Sequence, residues 1–367
     1  MYFAARPCDR NDDDHRMFVL ENTNADPFSG SFTFKGKISD STDKWAIDGT
    51  VLEHPLTGQL YYIWSGWEGD INIRQNLYIA QLSDPWTVSS ERVEISRATY
   101  KWETNHRPHV NEGPEVTIRN ETISLVYSAS GSWTDDYCLG LITASINSDL
   151  MNASSWTKRP EPIFKSSNEI FGPGHHSFTK SPDDKEDWII YHAARFKGSG
   201  WTRLVRAQKF TWNADSTPNL GEPVNQSVLI RIPSGDPLRN RFRVQKTRRM
   251  KKPRPVSVDG TSDDAIVHVA DDQNSTVTFR VQCANDGPHV IVIRDSDGLS
   301  NSTTASQFLS INDGKEIPIK LVYSGSDTWG IAMVRAKLVQ GVNTLIFRKG
   351  EEFADIDEID VFPDAQE

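Results

Sequence analysis

The chain has 367 residues, of which 37% are hydrophobic and 25% charged, as in an ordinary globular protein, and this length favours two domains. A formal net charge of −10 argues against nucleic acid as the main partner, and no apolar run is long enough to predict a membrane-spanning helix. The three cysteines, Cys8, Cys138 and Cys283, exclude a disulfide scaffold and lack the spacing of a metal site.

Short aromatic and β-branched runs, separated by Gly, Asp, Asn and Pro, dominate the first 230 or so residues and predict strands rather than helices. In chain order, three hairpins are predicted. Each pairs a strand that opens with a polar residue with a second, aromatic strand: WAIDGTVLEH with GQLYYIWSGW, VNEGPEVTI with ETISLVYSASG, and GPGHHSFTK with EDWIIYHAARF.

These hairpins recur along the chain with a nearly constant step. The aromatic landmarks of the second strands are Trp64, Tyr127 and Tyr191, and the residues that open the first strands are Asp48, Glu112 and His175. Both sets repeat at a period of about 64 residues, and a four-stranded unit of that length predicts a blade of a β-propeller. Because the inner strands of all blades face one axis, the three opening residues are expected to meet at one end of the channel.

The start of the chain, MYFAARP, matches the second strand of such a unit, since Phe3 precedes Trp64 by nearly the same step. The inner strand of that unit would lie upstream of Met1, so the chain is expected to begin inside a blade. Five N-x-S/T sequons hint at secretion, at Asn120, Asn152, Asn225, Asn274 and Asn301. The first residues nevertheless show neither the basic start nor the apolar core of a signal peptide.

Over about residues 1–230 the chain resembles the five-bladed β-propeller glycosidases of glycoside hydrolase family 43, in their α-L-arabinofuranosidase and β-xylosidase branch. The motifs that carry the resemblance are HRMFVLEN, WAIDGTVLEH, QNLYIAQLSDPW, VNEGPEV, YSASGSWTDDYCLGL, FGPGHHSF and RAQKFTW. The resemblance implies a secreted enzyme that releases terminal α-L-arabinofuranosyl or β-D-xylosyl units. Its partner would be a plant cell-wall polysaccharide such as arabinoxylan, arabinan or xylan.

The resemblance also implies roles for two carboxyl groups. Inverting hydrolysis needs a protonated carboxyl group as acid and an ionised carboxylate as base. Glu112 matches the family's general acid. Asp48 matches the third acidic residue, which orients the acid and tunes its pKa.

Further residues are expected to contact the sugar. His175 matches the channel histidine beside the sugar, and the adjacent His176 would point to the opposite face of a regular strand. Arg203 fits the substrate-binding arginine, although Arg206 competes for that role. Trp67 either lines the sugar site or packs.

The general base has no match. In the family it is an Asp that opens the inner strand of the first blade, which here would lie upstream of the chain. Four aspartates follow the YFAA strand, but none takes its place: Asp9, Asp12, Asp13 and Asp14. The sequence therefore predicts a family member without its first blade and part of its second. The alternative is a catalytically inactive carbohydrate-binding protein.

The C-terminal part resembles a carbohydrate-binding module of the family 35 or 6 type, a β-sandwich, through STVTFRV, SDTWGIAMVRAKLVQGVNTLIF and DIDEIDVF. The predicted domains are a propeller at 1–235, a basic linker at 236–256 and the module at 257–367. The linker's basic residues are solvated, attract acidic polysaccharide, or come from a misread exon.

Within the predicted module, Trp329 either stacks on a sugar or fills the core, and Asp357 and Asp360 are metal ligands or an acidic strand edge. The chemistry requires no cofactor, and a structural calcium ion is the one that the resemblance would add. The basic residues where the family's module normally opens with an acidic strand argue against that ion.

Overall fold

The structure is a computed structural model. It describes residues 1–8, 12–25, 27, 30–225, 228, 230–236, 240–243, 265–268, 276–297, 304–322, 329–350 and 354–364. These residues form 25 strands and three single-turn 3-10 helices, so the predicted all-β class is confirmed. None of the helices in the described part is long and apolar enough to cross a membrane. The chain divides into two compact units, Met1–Asp236 and Pro237–Glu367.

The first unit is a β-propeller built from successive antiparallel sheets. Its 3-10 helices are Asp12–Asp14, Lys101–Glu103 and Ala153–Ser155. Its strands are β1 (Tyr2–Ala5), β2 (Arg16–Glu21), β3 (Thr33–Ile38), β4 (Ala46–Glu53), β5 (Leu60–Gly66), β6 (Arg74–Asp84), β7 (Thr87–Val88), β8 (Val93–Ser96), β9 (His109–Arg119), β10 (Thr122–Ala129), β11 (Cys138–Ser145), β12 (Thr157–Lys158), β13 (Phe171–Lys180), β14 (Asp187–Ala194), β15 (Arg203–Trp212) and β16 (Pro218–Asn219).

Four groups of strands follow one another along the chain: β1–β3, β4–β8, β9–β12 and β13–β16. A short parallel pairing of β6 with β9 joins the second group to the third. The hairpins expected from the repeat are present as β4–β5, β9–β10 and β13–β14. Asn120 begins the β9–β10 turn in the left-handed conformation (φ 52°), which Asn tolerates better than most residues.

Aromatic and aliphatic side chains fill the spaces between neighbouring groups, which is how the blades of a propeller pack. Met17 of the first group packs with Trp64 of the second. Ile63 of the second packs in one cluster with Tyr127 of the third, and Leu139 of the third packs with Tyr191 of the fourth. The aromatic landmarks of the repeat are therefore core residues. This packing holds the inner strands β4, β9 and β13 beside one another.

The second unit consists of two sheets that share one core, as in a β-sandwich. Its strands are β17 (Asn240–Arg243), β18 (Ala265–His268), β19 (Thr276–Cys283), β20 (Gly287–Asp297), β21 (Thr304–Ile311), β22 (Ile317–Val322), β23 (Trp329–Leu338), β24 (Gly341–Lys349) and β25 (Ala354–Pro363). One sheet has the order β17-β25-β20-β23 and the other β18-β19-β24-β21-β22. Ile291 and Ile359 of the first sheet pack in one core with Phe279 and Phe347 of the second.

Part of the segment predicted as a basic linker is a strand. Asn240–Arg243 forms β17 and pairs with β25, opposite Glu358 and Asp360 among others. The physical reason is the sequence pattern. Arg241 and Arg243 alternate with Phe242, and alternation of this kind favours a strand at a sheet edge over a solvated linker. The rest of the basic stretch lies outside the described residues, and the predicted boundaries stay a prediction.

Candidate active site

The three residues that open the repeated inner strands come together on the axis of the first unit. The Oδ2 atom of Asp48 on β4 accepts a hydrogen bond of 3.1 Å from the backbone N–H of Gly113 on β9. The Oδ1 atom of Asp48 lies 3.8 Å from Nε2 of His175 on β13. Glu112 follows Asn111 on β9 and is 8% exposed. The repeat thus brings an Asp, a Glu and a His from three different strand groups to one place.

Each of the inner strands has a β-bulge at this level, which turns the opening side chain toward the axis. The pairing register shifts between Ile47 and Thr50 on β4, between Glu112 and Glu115 on β9, and between Gly174 and Ser177 on β13. A left-handed residue lies at each bulge: Asp48 (φ 55°), Gly113 (φ 51°) and His175 (φ 47°). Gly adopts this conformation freely, and Asp and His tolerate it better than most side chains do. The residue types at these positions therefore suit the backbone as well as the chemistry.

The environment of Glu112 keeps its carboxyl group protonated near neutral pH. Burial is the largest cause and the charge of Asp48 the second, and together they raise the pKa of Glu112 to about 7. The pKa of Asp48 is itself raised by burial, against the opposing effect of His175 and of the Gly113 N–H. A carboxylic acid that holds its proton near pH 7 is what a general acid in glycoside hydrolysis requires.

Tyr137 is the direct partner of that acid. Its hydroxyl donates a hydrogen bond of 2.6 Å to Oε1 of Glu112, and its ring is fully buried. Burial and the neighbouring Glu112 raise the pKa of Tyr137 well above its usual value, so the phenol is a donor at any physiological pH. Nearby, the hydroxyl of Ser128 accepts a 2.8 Å hydrogen bond from the backbone N–H of His175. These two contacts fix the acid and the histidine relative to one another.

A stack of rings runs from Tyr137 to His175 through His192. His192 lies nearly parallel to Tyr137 with ring centroids 6.0 Å apart, and nearly parallel to His175 at 5.8 Å. Burial, Arg203 and His175 lower the pKa of His192 to about 4, so this histidine is neutral at pH 7. A neutral imidazole accepts through Nδ1 the hydrogen bond that Nε of Arg203 donates.

Arg203 lies beside Tyr137 and His192, and its guanidinium donates hydrogen bonds to groups of the protein itself. Besides His192, the guanidinium donates to the backbone oxygens of Gly172 and, over 2.7 Å, Ser132. Its carbon lies 5.3 Å from the centre of the Tyr137 ring. The structure therefore shows that Arg203 links the backbone at Ser132 to that at Gly172, and that its positive charge lies near Glu112. Direct contact with substrate stays a prediction.

Trp67 does not present a face to the site. It is 2% exposed and stacks on Trp45 with ring centroids 4.9 Å apart, so of the two roles left open for it, packing is the one that the structure shows. Trp329 begins β23, but its side chain lies outside the described part of the chain, as does that of Asp357. Asp360 is buried on β25.

A cavity of about 240 Å³ adjoins these residues on the axis. Asp48, His175 and His176 line it together with Glu115, and aromatic residues of β1 close one side. His175 and His176 both line the cavity although they are adjacent in sequence, because the bulge between Gly174 and Ser177 breaks the strict alternation of sides. Burial raises the pKa of Glu115, which accepts a 3.4 Å hydrogen bond from Thr50.

Within the described ranges, no group of three or more His, Cys, Asp or Glu side chains is arranged to hold a metal ion. A structural calcium ion stays a prediction, and no step below uses it.

A buried ion pair supports the start of β9, immediately before the acid. The carboxylate of Glu103 is fully buried, and its Oε1 lies 2.5 Å from Nζ of Lys158. The same oxygen accepts hydrogen bonds from Asn111 (3.0 Å) and from the hydroxyl of Tyr127 (2.8 Å). Because Asn111 precedes Glu112, this network holds the backbone from which the acid projects.

Sequence reasoning missed several residues of this site: Tyr137, His192, Ser128 and Glu115. Tyr137 lies in the motif YSASGSWTDDYCLGL and His192 in IIYHAA, so both were within recognised text. Their contacts join positions of different strand groups, however, and no spacing along the chain reports such contacts. Only Glu115 had a local signal, since it lies three residues after Glu112 on the same inner strand.

Comparison with known proteins agrees with the geometry. The family model of Glycosyl hydrolases family 43 matches residues 1–218. The chain belongs to this family. The family assignment made from the motifs and the predicted propeller are therefore confirmed, whereas the nature of the C-terminal module stays a prediction.

The curated relatives include two arabinofuranosidases. The chain is 41% identical over 222 residues to an extracellular exo-alpha-(1->5)-L-arabinofuranosidase of Streptomyces avermitilis. This match covers 58% of the chain and 45% of the relative. It is 37% identical over 223 residues to alpha-L-arabinofuranosidase B of Pyricularia oryzae, with the same coverage of both chains. The chain thus spans less than half the length of either relative.

Solved structures show the same fold. The crystal structure of an alpha-L-arabinofuranosidase from Lactobacillus brevis matches with a TM-score of 0.57 and 36% identity, over 62% of this chain and 73% of that one. A thermostable family-43 glycoside hydrolase matches with a TM-score of 0.55 and 22% identity, over 64% and 74%, and supports the fold alone.

Proposed function

We propose that this chain belongs to a glycosidase that releases terminal α-L-arabinofuranosyl units from plant cell-wall polysaccharide. The observation that carries the proposal is Glu112, a buried carboxyl group with a pKa raised to about 7 beside a second carboxylate, Asp48. The names of the curated relatives favour arabinofuranose over xylose as the sugar. Arabinoxylan or arabinan is therefore the expected polymer, and xylan the less favoured one.

In the proposed mechanism, Glu112 gives its proton to the glycosidic oxygen as the bond to the anomeric carbon breaks. Asp48 holds the pKa of the acid high and fixes the β9 backbone through the N–H of Gly113. Tyr137 orients the carboxyl group through its hydrogen bond to Oε1. Inversion at the anomeric carbon then requires water activated by a carboxylate on the opposite face of the sugar.

The chain supplies the acid half of this mechanism. No aspartate of the chain could be matched to the base from sequence. Of the carboxylates described around the cavity, Asp48 and Glu115 both have pKa values raised by burial, and neither is assigned as the base. The proposal therefore rests on Glu112, and the mechanism is tested through the acid.

An extracellular location is part of the proposal. The Streptomyces avermitilis relative is named as extracellular. The sequon residue Asn120 lies exposed in the β9–β10 turn and Asn152 lies exposed at the start of a 3-10 helix, so both are accessible to glycosylation in a secretory pathway.

The test compares two leaving groups in the presence of azide, a small nucleophile that attacks the anomeric carbon without a base. With α-1,5-linked L-arabinobiose, whose leaving group needs protonation, Glu112→Gln should lower turnover by about 10²–10⁴-fold. With 4-nitrophenyl α-L-arabinofuranoside, whose 4-nitrophenolate leaves without protonation, the same variant should lose far less turnover. Without azide, only traces of turnover are expected.

The corresponding xyloside serves as the specificity control and should react more slowly. Equal losses on both arabinofuranosides would show that Glu112 is not the acid. No turnover of either arabinofuranoside in azide would contradict the proposed function of the chain.

A further inference from the structure

Two loops at the mouth of the site carry aromatic side chains that the fold does not need. One loop, residues 130–137, joins β10 to β11, and the other, residues 195–202, joins β14 to β15. Both lie at the end of the unit where the inner strands begin, because Ala129 pairs with Asn111 and Ala194 pairs with Phe171. We call the two loops together the aromatic rim.

The rim exposes large apolar area at one point. Trp201 is 73% exposed and Phe196 is 61% exposed. The half-buried Trp133 of the other loop meets Trp201 edge to face, with ring centroids 6.1 Å apart and an angle of 73° between the rings. Because leaving a tryptophan in water forgoes the free energy of burying it, an exposed and oriented pair indicates a binding surface rather than a core residue.

The rim is held in shape before any ligand arrives. The indole N–H of Trp201 donates a 3.1 Å hydrogen bond to the hydroxyl of Ser132 across the two loops. The backbone N–H of Gly198 donates to both carboxylate oxygens of Asp135, at 3.0 and 3.1 Å. A surface fixed in this way loses little conformational entropy on binding, and tryptophan is the side chain most enriched at such contact points.

The rim is also connected to the acid. Arg203 donates to the backbone oxygen of Ser132 and packs against Tyr137, which donates to Glu112. Glu112 lies near the start of β9, at the same end of the unit as these loops, so a sugar chain that extends from a unit beside Glu112 toward this end passes them. The exposed ring face of Trp201 suits the C–H face of a sugar.

We propose that Trp201, supported by Trp133, is a stacking platform for the sugar unit on the leaving-group side of the bond to be cleaved. The ligand class is an arabinofuranosyl oligosaccharide of two or more units. This inference rests on the proposed function, because it takes the first sugar to bind beside Glu112. It adds a preference for oligosaccharide over monosaccharide and names the residue that carries it.

The experiment is isothermal titration calorimetry of the full chain in a Glu112→Gln background, so that ligand is not consumed. The probes are α-1,5-linked L-arabinotriose and L-arabinose. The parent should bind the trisaccharide about tenfold or more tightly than arabinose. Trp201→Ala should abolish most of that preference and leave the affinity for arabinose unchanged, while Trp201→Phe should retain part of the preference.

Phe34→Ala is the matched control, since Phe34 is 60% exposed on β3, outside both loops, and should change neither affinity. Circular dichroism melting of each variant shows whether the fold is intact. If Trp201→Ala binds arabinotriose as the parent does while arabinose still binds, the platform is refuted and the proposed function stands. If the parent binds neither sugar, both are overturned.

Discussion

Replacing Glu112 by Gln tests the electrostatics of the site without any substrate. The pKa of Glu112 rises from its ordinary value of 4.5 to about 7 in the folded protein, mainly through burial. One pKa unit corresponds to about 1.4 kcal/mol, so the buried acid changes the free energy of unfolding by about 3 kcal/mol between pH 4.5 and pH 8. Because the folded-state pKa is the higher one, this stability is present below pH 4.5 and is lost as the pH rises through 7.

Gln has the size of Glu and its carbonyl oxygen can still accept the hydrogen bond from Tyr137, but it does not titrate. Urea unfolding of the wild type and of Glu112→Gln at pH 4.5 and pH 8 gives four free energies of unfolding. Titrating groups that do not interact with Glu112 contribute equally to both proteins and cancel in the double difference. The variant should therefore gain about 3 kcal/mol relative to the wild type on going from pH 4.5 to pH 8.

Glu121→Gln provides the control, because Glu121 lies exposed in the turn of the same β9–β10 hairpin and makes the same change of charge. Its double difference should be much smaller than that of Glu112→Gln, because its side chain is exposed to water in the folded protein. A double difference for Glu112→Gln below about 1 kcal/mol would mean that the acid ionises almost as freely as an exposed Glu. The reasoning from burial and from Asp48 would then be refuted.

The hydrogen bond and the ion pair around the acid can be tested in the same way. Tyr137→Phe removes a hydrogen bond that favours ionised Glu112, so the alkaline limb of the pH profile with arabinobiose in azide should move up by about one pH unit. Asp48→Asn removes a charge that disfavours ionised Glu112, so the limb should move down; if both variants shift the limb in the same direction, one of the two assignments is wrong. Lys158→Met leaves the carboxylate of Glu103 buried without its cation, which should cost about 3–5 kcal/mol at pH 7 in urea unfolding. The pKa of Glu103 is lowered in the fold, so the stability that its ionised form contributes is present above about pH 4.5 and is lost as the pH falls. The cost of Lys158→Met should therefore shrink near pH 4. An equal cost at pH 7 and pH 4 would show that the variant loses packing rather than charge.

The sequence predicts the parts of this site that the repeat controls. Asp48, Glu112 and His175 recur at one nearly constant step, and equivalent positions of repeated hairpins must meet around a common axis. Trp64 and Tyr127 recur at the same step, and the structure places both in the core. A periodic sequence therefore reports long-range proximity, which single motifs do not.

What the repeat does not control could not be predicted. Trp67 follows β5, and its stacking on Trp45, directly before β4, is a contact that no spacing along the chain reports. The predicted opposition of His175 and His176 assumed a regular strand, and the bulge in β13 removes that assumption. Tyr137 lies directly before β11, which β10 separates from β9 in the sheet, so its hydrogen bond to Glu112 is a contact that no spacing along the chain reports.

The bulges carry a conformational cost that the packing of the strands behind the site offsets. Asp48 and His175 both adopt left-handed conformations, which cost a residue other than Gly about 1 kcal/mol or more each. Burying the acid adds about 3 kcal/mol at pH 8. These costs are carried by the second strands directly behind the site, whose aromatic residues, including Trp64, Tyr127 and Tyr191, are almost wholly buried. The repeat therefore couples the two: each blade that supplies an inner-strand residue to the axis also supplies the aromatic packing that keeps that strained residue in position.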